Sequence, residues 1–114
     1  MTTQISKTVS CRILQNNVQL FINTFTATTS IEEFVEKQIL LTTGTTDQSI
    51  DLSPITSAKE IYIESEQQIS VKLNGIGNPA YIIKDIWYLS TDSITSIHLT
   101  NSSGTNSTIK IIIA

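Results

Sequence analysis

The chain has a single cysteine, Cys11, so it cannot close a disulfide within itself. A lone thiol fits a reducing compartment. Two prolines and four glycines are too few for a flexible or low-complexity protein. Charge is scarce as well: Asp, Glu, Lys and Arg make up 15% of the residues, against about a quarter in an average soluble domain. The seven basic residues are scattered, which leaves no electrostatic footprint for nucleic acid. Aromatics are not interleaved with Lys or Arg, as a platform for single strands requires. No apolar run approaches the ~20 residues that span a bilayer. The opening MTTQISKTVSCRILQ lacks the unbroken apolar stretch of a signal peptide. These absences predict a protein made in the cytoplasm, without nucleic acid or membrane as partner.

What is present is β-branched and polar. Ile and Thr are conspicuous, and their stiff side chains pack well on a pleated sheet. The length of 114 residues suits one domain, 1–114, with a core of its own. Ile5, Lys7, Val9, Cys11 and Ile13 alternate with Ser and Thr, which reads as a first strand. Asn16-Asn17 suits a tight hairpin turn, because Asn tolerates positive φ. Val18, Leu20 and Ile22 continue as a second strand, with Phe21 and Phe25 on its opposite face. Ser30-Ile31-Glu32-Glu33 has the form of a capping box. It leaves a short helix near 31–37 open beside the strand reading of Ile39-Leu40-Leu41. Ser49 to Leu52 reads as a short strand, and Pro54 opens a turn.

From Ile61 to Gly75, apolar residues recur at every second place: Ile61, Ile63, Ile69, Val71 and Leu73. The polar link Ser65-Glu66-Gln67-Gln68 between the runs has hairpin length, so a central hairpin is expected there. Asn74 to Pro79 is rich in turn residues and is the candidate functional loop. Tyr81 to Leu89 is the most apolar segment of the second half, and Ser90 to Ser93 reads as a turn after it. Ile94 to Thr100 and Ile109 to Ile113 complete about eight strand candidates. Left on an open edge, Ile111 to Ile113 would template aggregation, so this strand needs a neighbour. The predicted fold is all-β: an antiparallel β-sandwich or jelly-roll-like barrel.

The chemistry-bearing residues read as structural. His98 is the only histidine and has no ligand partner in sequence, so no metal is expected. Asn74-Gly75-Ile76-Gly77 lacks the third glycine and the setting of a dinucleotide site, and no cofactor is expected. Cys11 fits a strand's apolar face. Asp47 with Asp51, or Glu64 with Glu66, form acid pairs only on turns and wet strand faces. Asn101-Ser102-Ser103 and Asn106-Ser107-Thr108 match the glycosylation pattern, but without a secretory signal they read more simply as turn residues. No acid, base and nucleophile set converges, so the reading is not an enzyme. Tyr81, Ile83, Trp87 and Tyr88, with Ile111 and Ile113, are the candidate interface residues. The same aromatics leave a surface glycan open as an alternative partner.

Several stretches together resemble a known family. Asp51-Leu52-Ser53-Pro54-Ile55-Thr56-Ser57-Ala58-Lys59 leads into Ile61-Tyr62-Ile63. Val71-Lys72-Leu73-Asn74-Gly75, then Ile94 to Asn101, then Ile109 to Ile113 follow. This order resembles small β-sandwich virion structural proteins of tailed bacteriophages, over roughly the C-terminal two thirds of the chain. The resemblance implies a virion location, as capsid decoration (cement) or tail accessory protein. It also implies copies of itself and other virion proteins as partners, and brings no catalytic residue with it.

Overall fold

The computed structural model describes the backbone of residues 3–31 and 34–114. Side chains are described for Ser6, Thr8, Asn16, Asn17 and residues 34–114. The protein is all-β and antiparallel. The chain divides into two compact units, residues 1–32 and 33–114.

The first unit is a two-stranded sheet of β1 (Thr3–Gln15) and β2 (Val18–Ile31). Asn16 and Asn17 join them with φ of 51° and 63°. Both central residues in the left-handed region give the hairpin turn whose twist matches that of the strands. The register sets Val9 opposite Phe25 and Ile13 opposite Phe21. It sets Ser6 opposite Thr28, Thr8 opposite Thr26 and Ser10 opposite Thr24. Directly paired residues share a face of the sheet. The expected cover on both sides of Phe21 and Phe25, and the apolar packing of Cys11, concern side chains outside the described residues.

The second unit holds β3 (Val35–Leu41), β4 (Gln48–Ser49), β5 (Ala58–Leu73), β6 (Tyr81–Ile94), β7 (Ile97–Thr100) and β8 (Ser107–Ile113). The long β5 organises it. Along one side β5 pairs with β6. Along the other, Ile61–Ser65 pair with β8 and Ser70–Leu73 pair with β7. The sheet forks at the middle of β5: β8 leads on to β3, and β7 leads on to β4.

Three sequence expectations change here. The helix near 31–37 does not form: Ile31 closes β2, and Val35 onward is β3. Glu32 and Glu33 of the capping box lie outside the described residues. The segment after the box offers too few residues for a helix that is stable by itself. Its apolar Val35, Ile39 and Leu41 alternate with Glu36, Gln38 and Leu40, and that period suits pairing with β8.

The central hairpin is also absent, because β5 runs through Ser65–Gln68 as one strand. No residue there has positive φ, and the odd-numbered apolar set stays in phase across it. Phase continuity is the property of one strand, since a single slip would flip every side chain. Instead the polar link forms a bulge, in which residues between Ser65 and Ile69 face only Lys84 on β6. Asp85, opposite Ser65, takes a φ of 67° at this corner. A buried hydroxyl pair secures it: Ser65 Oγ lies 2.9 Å from Ser107 Oγ, which accepts from the Gln67 amide at 3.1 Å. Finally, Ser90–Ser93 is not a turn. β6 continues to Ile94, which pairs with Ala58.

The core lies on one face of the forked sheet. Ile61, Ile63, Val71, Ile94, Ile97, Leu99, Ile109, Ile111 and Ile113 are fully buried there. β8 sits between β3 and β5, so the Ile111–Ile113 run has neighbours on both sides. Asn101 closes one end of the unit and is also fully buried. Its Nδ2 donates to the carbonyls of Leu41 and Thr105, both at 2.9 Å. Its Oδ1 accepts from the Ser103 amide and hydroxyl at 3.1 and 2.7 Å. Its backbone amide and carbonyl bond Thr45 and Gly44. Every polar group of the residue is satisfied, which is what makes its burial tolerable.

Candidate assembly surface

Among the described residues β6 has one strand partner, β5. It is a long strand of 14 residues, and an edge of that length is one that another strand can read. Alternation divides its side chains between two faces. The odd set, paired with Ile61, Ile63 and Ile69, faces the core: Leu89 and Trp87 pack against it, and Ile83 is buried in it. From Ile82 to Tyr88 the even set lies on the other face. There Ile82 is 61% exposed and Ile86 is 67% exposed. Tyr81 ends the odd set at the rim and is 45% exposed. Its ring stands 5.2 Å from that of Trp87, tilted by 39°.

This geometry sorts the candidate interface residues. Tyr81 is accessible, Trp87 and Tyr88 are half-buried, and Ile83, Ile111 and Ile113 lie inside the core. Tyr81 and Trp87 are brought together, whereas Tyr88 points to the opposite face, beside Tyr62. The sequence reading passed over Ile82 and Ile86. The signal was in the partner strand: they pair with the polar Ser70 and Glu64, which marks their face as the one away from the core.

The even face also carries the unit's electrostatic features. Tyr62 donates to Glu64 Oε1 at 2.5 Å. That bond to the carboxylate, with burial and the charge itself behind it, pushes the Tyr62 hydroxyl up to about 12. Lys110 reaches Glu36 at 3.8 Å. On the C-terminal half of the same face, Lys72 meets Asp47 at 3.2 Å, and the Asp47 amide donates to Thr100 Oγ1 at 2.9 Å. His98 sits between Ser49 and Lys72 in register.

The acid pairs weighed from the sequence do not converge on a shared ligand. Asp47 is held by Lys72, and the Asp51 carboxylate accepts from the Ser53 amide at 2.9 Å. Bonds from Ser53 and then the charge of Lys37 hold the Asp51 carboxyl below its usual range. The Lys37 ammonium also donates to the Asp51 carbonyl. Among the described residues no three His, Cys, Asp or Glu side chains gather as a metal site would require. Both sequon asparagines are committed: Asn101 as above, and Asn106 Oδ1 to the Thr43 amide at 2.9 Å. In the turn-rich loop, Asn78 ties back to the Leu73 carbonyl at 2.8 Å, while Ile76 projects into solvent. No helix among the described residues is long and apolar enough to cross a membrane.

No family model, curated protein or solved structure matches this chain.

Proposed function

We propose that this chain is a bacteriophage virion structural protein that acts by homo-oligomeric assembly, as a capsid decoration or tail accessory component. A sandwich-like or jelly-roll-like build belongs to the same reading. The observation that carries the assembly part is the long strand β6, with one strand partner among the described residues and with Ile82, Ile86 and Tyr81 exposed along it. An apolar edge of this length is a liability for a solitary protein and a docking rail for an assembling one. The virion part rests on the sequence resemblance over the C-terminal two thirds. Partners are then copies of itself and other virion proteins, and no step of this role uses catalysis or a cofactor.

Sedimentation across a range of concentrations tests the first part. A discrete oligomer that survives dilution supports it, and a monomer throughout overturns it. Mass spectrometry of purified particles, from the virus whose genome encodes the chain, tests the second. Recovery of the chain supports a virion role, and its absence from particles overturns that role. A second reading, glycan binding, draws on the exposed Tyr81 ring against Trp87. Saturable glycan binding lost in Tyr81→Ala is its test.

A further inference from the structure

Asn74 is the one asparagine of the chain that glycine follows. Asparagine is thermally labile, through a reaction between its side chain and its own backbone. The amide nitrogen of the next residue attacks the asparagine Cγ, and a glycine there has no Cβ to obstruct it. That nitrogen gives up its proton, Nδ2 leaves as ammonia and a five-membered succinimide closes. Water then opens the ring at one carbonyl or the other, which yields aspartate or isoaspartate. Water is the only co-reactant.

The fold supplies one half of this reaction and withholds the other. Gly75 takes a φ of 138°, and a Cβ built there would meet nothing nearer than Asn78 Nδ2 at 3.7 Å. Among the described residues no acceptor takes the Gly75 amide, so the attacking nitrogen is uncommitted. The Asn74 side chain is tied down. Its Oδ1 accepts from the Thr95 amide at 2.7 Å and from the Thr95 hydroxyl at 3.1 Å. Its Nδ2 donates to the Ser93 carbonyl at 2.9 Å. The backbone is held as well, with φ of 63° and the Asn74 amide donating to the Ser96 carbonyl at 3.0 Å. Three side-chain bonds thus fasten Cγ to the end of β6 and its link to β7. It is free to turn towards Gly75 only when that link lets go. The other asparagines of the unit lack this combination. Asn78 precedes Pro79, which has no N–H to attack with. Asn101 is fully buried, and Asn106 precedes Ser107 at the start of β8.

We propose that Asn74 is a self-modification site gated by the fold: the succinimide forms through openings of the β6–β7 link, and its products cannot close the link again. Aspartate sets an acceptor oxygen where Nδ2 had donated, against the Ser93 carbonyl. Isoaspartate lengthens the main chain by a carbon beside the bond from residue 74 to Ser96. Either product adds a negative charge. Local openings of this kind occur in every folded protein. Here each one gives the reaction an opportunity, so the corner records the time spent open.

Peptide mapping of the full chain, kept at neutral pH either folded or in denaturant, provides the test. Trypsin releases Leu73 to Lys84, and mass spectrometry follows the conversion of amide to acid in that peptide. Conversion at Asn74 is expected in both samples, slower in the folded chain by about tenfold or more. Thr95→Ala removes the hydroxyl donor, and should speed the folded chain while leaving the denatured one unchanged. Asn74→Asp, made directly, should exchange the amide hydrogen of residue 74 faster than the native chain does. No conversion at Asn74 in the denatured chain overturns the site. Equal rates in the folded and denatured native chain overturn the gate, and this comparison stands whether or not either variant folds. An unchanged folded rate in Thr95→Ala also overturns the gate. Native exchange in Asn74→Asp overturns the failure to close.

Discussion

β6 and β8 are both rich in isoleucine, and they are used in opposite ways. β8 pairs with β3 on one side and β5 on the other, and its odd isoleucines are sealed in the core. Among the described residues β6 pairs with β5 alone, and apolar residues occupy both of its faces. The even face of β8 holds Thr108, Lys110 and Ile112 in a polar frame with Glu36 and Glu64. The even face of β6 exposes Ile82 and Ile86. An isoleucine-rich run therefore says that a strand exists, and the number of neighbours says whether it is core or contact.

The largest effect is expected where β8 is sealed. Ile111→Ala removes a fully buried side chain from the centre of the sheet. It should cost about 2–5 kcal/mol in denaturant-induced unfolding. Assembly mass should hold under conditions where the variant stays folded. A cost below 1 kcal/mol would mean that β8 is not the sealed strand described here. Trp87→Ala probes the core-facing side of β6 in the same experiment. This ring is only partly buried, so about 2–4 kcal/mol is expected, at or below the range for fully buried aromatics. Full retention of both melting point and native mass would remove Trp87 from core and interface alike.

Tyr62 stands on β5 between Ile112 of β8 and Tyr88 of β6, where the two strands' even faces meet. Its pKa is raised to about 12 in the folded protein, from about 10 in an unfolded chain. A raised pKa means the folded state favours the protonated form. The stability this adds is complete below pH ~10 and is lost as pH rises through ~12. Ultraviolet titration should show a late-ionising phenol that is missing in Tyr62→Phe. An unchanged titration curve in that variant would remove the Tyr62–Glu64 bond as its cause. The smallest stability effect is expected at the exposed edge. Ile86→Lys should shift unfolding by no more than about 0.5 kcal/mol, while it lowers the native mass. If it leaves the mass unchanged, the β6 edge is not the contact.

The β character and the alternation were legible in the sequence because period-two patterning is local. The Asn16-Asn17 turn was legible for the same reason, since its requirement for positive φ is written in the residues that meet it. Strand neighbours were not legible. Whether Ser65–Gln68 turns or runs on depends on Ser107, which is distant in sequence and holds the bulge. Whether 35–41 coils or extends depends on β8 in the same way. At the candidate surface, Tyr81 was visible as an aromatic in an apolar run. Ile82 and Ile86 became visible only when Ser70 and Glu64 were known to lie beside them. Ile111 and Ile113 looked like interface residues because their run needed cover, and β3 supplied it.

The dependence of β3 on β8 has a consequence in time. Among the described residues β3 pairs with β8 alone, and that ladder joins residues at opposite ends of the second unit. At about 5–20 residues per second, a ribosome needs roughly 3–13 s to add the stretch from Leu41 to Ser107. Through that interval β3 waits unpaired, and β5 has β6 and β7 to pair with but not β8. Topologies closed by such distant strands fold slowly. The unit therefore closes only once β8 has been made, and that strand locks β3, the first of the unit.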